Sequence, residues 1–504
     1  MSRPPVMDAL LGLDVGTSAT KAVLLDGAGG QLAAAQRSYP LQTPRPGWAE
    51  QDPEQVWQAL LDAVRDVLQQ VSRHPVRVRA LAPATQSGSL ILARADGAPL
   101  YPMVTWLDTR AEEVVRQWRA DGLEEMIWRR SGWRLTPGFP LPMLAWFRQQ
   151  RPQLFATAER VMGLNDFILH RLCGAFVTDH SSASEMLLLD WRQAAWSEAL
   201  CDLAGITAQM LPAIRNSGVA LGRLTPAASA ATGLPRETVV VSGAHDQACA
   251  AAAMGVTEPG QLLLSAGTAW VLTGVTSRSA MDDVPLQMDL SFHAVPQRWT
   301  ISQLLGGFGA TLTWWLREAW PPVENSEDQP DLLAQMENAL ADTTPGSRGL
   351  LFVPPGAGAQ LPQRAPSGGF LGLRLDHRRA DMVRAVLEGT ACEVRWALDS
   401  ARQKGLPVDR LLIAGGAARS PTWPQIIADL SGAPLALAPA GQWPARGAAL
   451  LAGRAMNLWL ERAAIPSWTP TSRIQPNPAN RAAYEATFTR YRTGVQQLLA
   501  AGTE

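Results

Sequence analysis

The stretch ALLGLDVGTSATKAVLLDGAGG, residues 9–30, decides the fold of this chain. Two apolar runs, 10–13 and 22–25, flank the acid Asp14 and a tip of small residues, and the second run ends at Asp26 before a glycine turn. Short apolar runs separated by small turn residues are typical of two strands joined as a hairpin. The sequence therefore predicts a β-hairpin with a carboxylate beside its tip.

The small residues of this tip, Gly16, Thr17 and Ser18, favour phosphate binding. Backbone N–H groups in such a turn converge on an anion, and the lack of bulky side chains lets a phosphate approach closely. Asp14 would repel a bare phosphate, so the pattern requires a cation between the carboxylate and the phosphate. Mg²⁺ suits this position because it typically binds one or two carboxylates together with phosphate oxygens. The hairpin predicts a site for Mg²⁺ and a nucleotide, with Asp14 as a magnesium ligand, directly or through water.

Strands and helices alternate after the hairpin. Residues 31–39 read as a third strand, residues 53–71 as an amphipathic helix with Asp52 as its N-cap, and residues 78–85 as a buried strand. This alternation indicates an α/β architecture.

A second hairpin with a similar tip is predicted near the middle of the chain. Residues 261–264 form another apolar run, and the following Ser265-Ala266-Gly267-Thr268 parallels Asp14-Val15-Gly16-Thr17. The similarity indicates a weak internal repeat with one hairpin in each of two lobes, although small-residue hairpins also occur by chance. The segment 256–260 is a plausible linker between the two halves.

The later part of the chain continues the alternating pattern. An amphipathic helix over 380–405 with Asp381 at its start precedes a strand over 410–416 and a helix over 423–430, and a terminal helix follows a loop after about residue 470.

The composition restricts the classes of function. The chain has 504 residues, of which 47% are hydrophobic, so at least two globular domains are expected. A net charge of −1 argues against a nucleic-acid or membrane-surface partner. Four cysteines without a CxxC pair favour a reducing, cytoplasmic location and argue against structural zinc. No apolar run approaches the roughly 20 residues of a membrane span.

Several segments, taken in order, resemble the FGGY family of carbohydrate kinases, and the pattern is most similar to xylulose kinases. The resemblance runs from about residue 10 to about residue 455 and is carried by GLDVGTSATKAVLLD, WAEQDPEQVWQAL, GAHDQACAAAAMG, SAGTAW, GGFLGLRLDHRRADMVRAVLE and IAGGAARSPTWPQIIADLSG. It implies an α/β fold of two RNase H-like lobes of the actin, sugar kinase and Hsp70 type, with ATP and sugar in an interlobe cleft. The implied domains are an N-terminal lobe (9–254), a C-terminal lobe (260–455) and a tail with a terminal helix (456–504).

The resemblance also implies an activity, the ATP-dependent phosphorylation of a sugar or polyol hydroxyl with Asp246 as general base. The implied ATP-binding residues are Gly16, Thr17, Ser18, Lys21, Gly267, Thr268, Gly309, Thr313, Gly416 and Ser420, and Asp14 holds Mg²⁺. The implied sugar-binding residues are Gln86, Ser87, Gly88, Trp106, Asp108, Asp246 and Gln247. A homodimer is the commonest assembly for such a soluble protein, but the sequence does not fix the oligomeric state.

Some of these residues have an ordinary structural interpretation as well. Lys21 fits a solvated strand position, Gly309 and Thr313 fit helix packing, and Asp108 fits a plain ion pair with Arg110. Asp246 fits a helix cap. His245, beside it, fits either a substrate contact or a role at the entry of the same helix.

The chain departs from the family pattern at the sugar end. Ser87-Gly88 stands where bacterial xylulose kinases carry Met-His. Because the chain lacks this hydrogen-bonding imidazole, the identity of the substrate stays open, and a different or bulkier polyol or ketose is an alternative to D-xylulose. Met143 stands where the N-terminal signature of the family carries a lysine. The loop 356–369 is shorter than the corresponding family loop and retains Pro362 and Pro366. Arg364 is a candidate replacement for an arginine that this loop lacks.

These departures keep a second function class open, a non-catalytic sensor of nucleotide or sugar on the same fold. The presence of both Asp14 and Asp246 favours the kinase, because a sensor needs neither acid. A chaperone-like ATPase is not expected, since the residues after 455 are too few for a peptide-binding domain.

Overall fold

The computed structural model describes residues 6–277, 284–285, 287–319, 332–358, 360–361, 367–458 and 468–501. The predicted loop residues Pro362, Arg364 and Pro366 lie outside this part of the chain. The described residues divide into two compact units. The first unit contains the chain up to Thr257, Leu290–Thr300 and the segment from Gly441 to 458, and the second contains Glu258–Asp289, Ile301–Ala440 and the segment from Trp468 onward.

The strands are β1 (Met7–Val15), β2 (Ala19–Asp26), β3 (Gln31–Ser38), β4 (Glu50–Gln51), β5 (Val76–Thr85), β6 (Ile91–Ala93), β7 (Met103–Val104), β8 (Arg160–Met162), β9 (Val177–Asp179), β10 (Leu189–Asp190), β11 (Ala195–Trp196), β12 (Ala213–Arg215), β13 (Ala220–Arg223), β14 (Val239–Val241), β15 (Ala244–His245), β16 (Gly260–Ala266), β17 (Trp270–Thr276), β18 (Asp289–Phe292), β19 (Trp299–Gly306), β20 (Leu351–Val353), β21 (Gly369–Leu371), β22 (Val408–Ala414), β23 (Leu435–Leu437) and β24 (Ser472–Ile474).

The α-helices are α1 (Pro53–Gln70), α2 (Glu112–Ala120), α3 (Glu124–Ser131), α4 (Pro140–Gln150), α5 (Pro152–Ala156), α6 (Leu164–Cys173), α7 (His180–Ser184), α8 (Glu198–Ala204), α9 (Pro226–Thr232), α10 (Asp246–Ala253), α11 (Phe308–Ala319), α12 (Leu332–Leu340), α13 (Arg379–Gln403), α14 (Thr422–Ser431), α15 (Trp443–Ala455) and α16 (Arg481–Ala501). Among the described residues, no helix is both long enough and apolar enough to cross a bilayer.

The first unit is built on a seven-stranded sheet in the order β13-β14-β5-β1-β2-β3, with β15 also paired to β5. The predicted hairpin is confirmed, since β1 and β2 are antiparallel and Asp14 lies opposite Lys21. The predicted third strand and the buried strand over 78–85 are confirmed as β3 and β5. Helix α1 begins as predicted, with the Asp52 carboxylate accepting the N–H of Glu54 at 2.9 Å.

Three strands of this sheet run parallel and end together. Strand β1 pairs with β5 so that Val15 lies opposite Thr85, and β15 pairs with β5 so that His245 lies opposite the same Thr85. The residues that directly follow these strands therefore leave the sheet at one edge, the carboxyl-end edge, where open α/β sheets bind ligands.

Helix α15 covers the centre of this sheet at a very short distance. A Cβ built on Gly12 of β1 would lie 1.8 Å from the carbonyl oxygen of Ala445, and one built on Gly447 of α15 would lie 2.1 Å from the carbonyl oxygen of Cys249 in α10. Glycine is required at both positions because any side chain would push the helix away from its neighbour. The packing of β1, α15 and α10 fixes the strand that carries Asp14 and the helix that begins at Asp246.

The second unit repeats the arrangement of the first sheet. Its sheet contains β19-β17-β16-β22-β23-β24 in this order. Strands β16 and β17 form the second predicted hairpin, and β16 runs parallel to β22 with Ser265 opposite Ala414. Both units thus consist of mixed α/β structure around a large sheet, which confirms the predicted fold class, and the internal repeat extends to topology.

Helix α13 begins slightly differently from the prediction. Its N-cap residue is Arg378, and Asp381 lies three residues later, where its carboxylate accepts the backbone N–H of Arg378 at 2.9 Å. Asp381 therefore still caps the helix, but from inside the first turn. The predicted strand over 410–416, the helix over 423–430 and the terminal helix are confirmed as β22, α14 and α16.

We predict that Gly12→Ala destabilises the protein, because the new methyl group would collide with backbone atoms of α15. Forcing such a group into a packed contact costs about 1–3 kcal/mol. Gly27→Ala is the matched control, since a Cβ at Gly27 would meet nothing within 4 Å. Thermal unfolding should give a clearly lower midpoint for Gly12→Ala and little change for Gly27→Ala, and equal midpoints would contradict the assigned packing.

Candidate active site

The carboxyl-end edge of the first sheet brings three of the predicted site residues together. Asp14 is the penultimate residue of β1, Gln86 directly follows β5, and Asp246 directly follows β15. Asp14 is 3% exposed and pairs with Lys21, whose Nζ lies 3.0 Å from Asp14 Oδ2. Lys21 therefore has an ion-pair partner on the opposite strand, and a role for it in phosphate binding stays a prediction.

The electrostatic surroundings of Asp14 suit a divalent cation. Burial and, to a smaller extent, the charge of Asp246 raise the pKa of Asp14 to about 6, although Lys21 acts in the opposite direction. A buried carboxylate with a second carboxylate nearby is stabilised by bound positive charge. Within the described residues, no three acidic, histidine or cysteine side chains form a metal-binding group. A single buried carboxylate is compatible with Mg²⁺, which typically binds one or two carboxylates together with waters and phosphate oxygens, and the magnesium site stays a prediction.

The carbonyl groups at the hairpin tip are all bound by the protein. Tyr39 donates its hydroxyl to the Gly16 carbonyl at 2.5 Å and its N–H to the Ser18 carbonyl at 3.1 Å. Gln51 Nε2 donates to the Thr17 carbonyl at 2.7 Å. The N–H groups of Thr17 and Ser18 have no acceptor among the described residues. A turn with its oxygens occupied and its N–H groups available is suited to an anion.

The side chain of Thr17 belongs to a closed hydrogen-bond ring. Its hydroxyl donates to Gln86 Oε1 at 2.8 Å, and Gln86 Nε2 donates to Gln51 Oε1 at 2.8 Å. Because Gln51 returns to the Thr17 carbonyl, the ring fixes the orientation of both amides. Trp106 Nε1 also donates to the Thr17 hydroxyl, at 3.1 Å. The hydroxyl of Thr17 thus connects the predicted phosphate turn to predicted sugar residues.

Gln51 is a candidate site residue that the sequence does not single out. It lies in β4 within the segment WAEQDP, where the family resemblance gives no role to any single residue. The structure identifies Gln51 because its polar side chain is fully buried within the hydrogen-bond ring, and this burial is not visible in the sequence.

The predicted sugar residues Ser87 and Gly88 line a small polar cavity. A Cβ on Gly88, whose φ is +70°, would lie 2.8 Å from the Phe139 ring, so this position requires glycine. The cavity has a volume of about 10 Å³, near the minimum for one water. Several residues that line it carry a buried polar atom without a hydrogen-bond partner among the described residues, including the hydroxyls of Thr85, Ser87 and Ser182 and the Oδ1 of Asn165.

Asp108, another predicted sugar residue, is fully engaged with the protein. Its carboxylate accepts the N–H of Ala49 at 2.6 Å and pairs with Arg110, which also reaches Glu50 at 2.7 Å. The Arg110 guanidinium lies 3.7 Å from the centre of the Trp48 ring. The geometry thus gives Asp108 a buried structural ion pair, and a sugar contact by this residue stays a prediction.

In the second unit, three predicted nucleotide segments meet at the tip of the second hairpin. A Cβ on Gly309 would lie 2.0 Å from the Gly267 carbonyl oxygen, and the N–H of Ala310 donates to the Thr268 carbonyl at 3.1 Å. Gly415, with φ +105°, lies against the Ala266 carbonyl, and Gly416 follows it. Glycine at 309 therefore permits the start of α11 to contact the hairpin directly.

The remaining predicted nucleotide residues have protein partners. Thr313 donates its hydroxyl to the Gly309 carbonyl at 2.9 Å within α11. Ser420 donates to the Glu337 carboxylate, and Thr422 donates to the same carboxylate at 2.5 Å. Glu337, on α12, was not predicted from the sequence.

Helix α10 places Asp246 and Gln247 in its first turn. The N-cap residue is His245, and no side chain caps this helix end. Asp246 is therefore not held by a capping role. Its Oδ1 lies 3.0 Å from His245 Nε2.

Comparison with known proteins identifies the family. Residues 9–254 match the N-terminal domain, and residues 262–456 the C-terminal domain, of the FGGY family of carbohydrate kinases. This chain belongs to the FGGY family of carbohydrate kinases. The resemblance inferred from the sequence is thereby confirmed, and the chain is an enzyme of the class that transfers phosphoryl groups from ATP to sugars.

Relatives of this kinase include proteins with different substrates. The xylulose kinase of Escherichia coli (strain K12) is 29% identical over 493 residues, which cover 97% of this chain and 99% of that protein. The gluconokinase of Bacillus subtilis (strain 168) is 28% identical over 432 residues, covering 84% and 82%. The crystal structure of xylulose kinase from Rhodospirillum rubrum, 27% identical, has a TM-score of 0.89 and covers 98% of this kinase and 100% of that chain.

We predict a pH-dependent effect of Asp166→Asn on the stability of the kinase. Burial raises the pKa of Asp166, which lines the polar cavity, from 3.8 to about 7. The unfolded chain therefore loses this proton at lower pH than the folded chain, and the stability of the wild type falls between about pH 4 and about pH 7. Asparagine still accepts the Gly163 N–H that Asp166 accepts at 2.6 Å, but it does not ionise.

The measurement compares the unfolding free energies of the two proteins across this range. The variant should gain a few kcal/mol relative to the wild type by pH 7.5, since one pKa unit corresponds to about 1.4 kcal/mol. A difference that stays constant from pH 4 to pH 7.5 would show that Asp166 ionises normally in the folded protein.

Proposed function

We propose that this kinase transfers the γ-phosphoryl group of Mg·ATP to a hydroxyl of a sugar or polyol, with Asp246 as the general base. The observation that carries the proposal is the shared register of β1, β5 and β15, because it sets Asp14, Gln86 and Asp246 at one edge of one sheet. These three side chains correspond to the three tasks of the reaction, which are binding the metal, binding the sugar and accepting the proton.

Asp246 orients the attacking hydroxyl and accepts its proton as the oxygen bonds to phosphorus. Phosphoryl transfer depends mainly on positioning and on charge stabilisation, so a weakly basic carboxylate suffices. At 23% side-chain exposure, Asp246 is accessible to a substrate, whereas Asp14 is not exposed enough to play the same role.

Asp14 would hold the magnesium ion, and Lys21 would offset phosphate charge from the opposite strand. Bound magnesium neutralises charge on the phosphate oxygens during transfer. The available N–H groups of Thr17 and Ser18, together with Gly16, bind phosphate oxygens in this proposal. Protonation of Asp14, with a pKa of about 6, would weaken its hold on the metal in acid.

The second unit has predicted nucleotide contacts of its own in this proposal. Gly267 and Thr268 contact phosphates, and the other predicted residues, Gly309, Thr313, Gly416 and Ser420, contact the nucleotide. The convergence of the 267–268 tip, the start of α11 and the 415–416 turn supports this assignment. The proposed domains are a sugar-binding lobe over 9–254 with Asp246, an ATP-binding lobe over 260–455 and a tail over 456–504.

The sugar site is proposed to contain Gln86, Ser87, Gly88, Trp106 and Gln247, with Asp108 as a further predicted residue. The xylulose kinase and gluconokinase relatives make a ketopentose and a sugar acid the first candidates. The small cavity beside Ser87 adds unpaired hydroxyls, which favour a substrate that carries a polar group at this end. A cytoplasmic location and a homodimeric state stay predictions from the sequence.

The first experiment measures sugar-dependent ADP formation with a panel of substrates. D-Xylulose, L-xylulose, D-gluconate, glycerol, pentitols, tetritols and ketohexoses are supplied one at a time with Mg·ATP. At least one substrate should increase ADP formation well above the rate with ATP alone. Stabilisation by ATP and by a sugar without ADP formation would instead support the sensor.

The second experiment replaces the proposed base. Asp246→Asn should lower kcat by about 10²–10⁴-fold, because general base catalysis contributes factors of this size. Thermal stabilisation by ATP should persist, since the proposal gives Asp246 no nucleotide contact. Near-normal turnover of the variant would disprove the assigned role of Asp246.

A further inference from the structure

An uninterrupted row of three charged side chains ends at Asp246. His245 Nδ1 lies 2.8 Å from Glu185 Oε1, and His245 Nε2 lies 3.0 Å from Asp246 Oδ1. The exposed fractions of the side chains rise along the row, from 6% for Glu185 to 17% for His245 and 23% for Asp246. The buried end is thus a carboxylate, and the accessible end is the proposed base.

The backbone around this row is fixed by a second set of contacts. The carboxylate of Asp179 caps α7 by accepting the N–H groups of Ser181 and Ser182. The hydroxyl of Ser181 donates to the same carboxylate and accepts the N–H of His245 at 2.9 Å. Because Glu185 directly follows α7, these contacts fix the distance between Glu185 and His245.

The protonation state of His245 follows from its two neighbours. A neutral imidazole has one N–H group, so its other nitrogen would present a lone pair to a carboxylate oxygen, whereas the imidazolium donates on both sides. Burial lowers the pKa of His245, but the carboxylates of Glu185 and Asp246 outweigh burial and raise it well above 6.5. The two short nitrogen–oxygen distances and the charges of the neighbours together favour a cation between two anions.

We propose that Glu185 and His245 are positioning residues that hold Oδ1 of Asp246 and thereby direct its Oδ2 to the substrate hydroxyl. This inference rests on the proposed function of Asp246. The ion pair with His245 thus selects the orientation of the Asp246 side chain. The charge of Glu185 in turn keeps His245 protonated and in place.

The expected kinetic effect is a change in kcat with little change in KM. Removal of the imidazolium leaves Asp246 present but free to rotate, so the substrate binds while the hydroxyl is seldom aligned for attack. His245→Ala should lower kcat about 10–100-fold, less than Asp246→Asn. Glu185→Gln should lower kcat in the same direction, because a neutral amide holds the imidazolium less firmly.

Chemical rescue separates positioning from a purely structural role. Added imidazole should restore a large part of the activity of His245→Ala, because the vacated space is partly exposed, and should not affect Asp246→Asn. His170→Ala is the matched control, since His170 contacts the backbone of Asp96 outside the site, and its kinetics should match those of the wild type. A raised KM with unchanged kcat in His245→Ala would show a direct substrate contact and overturn the inference, as would a loss of kcat without rescue.

A spectroscopic measurement tests the row independently of activity. In protein labelled with ¹⁵N-histidine, both ring nitrogens of the resonance that disappears in His245→Ala should be protonated at pH 7.5, and Glu185→Gln should alter that signal. A neutral ring in the wild type would overturn the inference. If the wild type phosphorylates no sugar in the panel, the proposed function fails, and the ring signal still decides whether the row exists.

Discussion

The parallel pairing of β1 and β15 with β5 is the constraint on which the rest of the site depends. Since Val15 and His245 both lie opposite Thr85, the residues that follow each strand must leave the sheet at the same height. Hydrogen bonding of the backbone thus places residues that are more than two hundred positions apart in sequence next to each other. Side chains at this edge need no long loops to meet, so the site is supported by the rigid centre of the unit.

This arrangement has an electrostatic cost that the protein offsets locally. Asp14 is buried, and its charge interacts unfavourably with the charge of Asp246. Keeping a buried carboxylate ionised beside a second carboxylate costs free energy unless positive charge lies nearby. Two cations reduce the cost, Lys21 beside Asp14 and the proposed imidazolium of His245 beside Asp246. A magnesium ion bound with phosphate would complete the neutralisation, so substrate binding and charge balance are coupled.

Small residues and closed hydrogen-bond networks make the hairpin tip rigid before a ligand binds. The carbonyls of Gly16, Thr17 and Ser18 accept bonds from Tyr39 and Gln51, which removes the groups that would repel a phosphate. The tip of the second hairpin is packed against the glycine at the start of α11. Contacts from different elements thus fix two hairpins of similar sequence.

The sequence by itself determined the α/β class, the two hairpins, the main helices and the family, because periodic apolar runs and ordered motifs depend on local spacing. It also singled out Asp14, Lys21 and Asp246. Only the tertiary structure decided which polar side chains act together: Gln51 in the ring with Thr17, Glu185 behind His245, and Asp108 in a buried ion pair. Such partners come from distant segments, and a single sequence carries no signal for the strand register that brings them into contact.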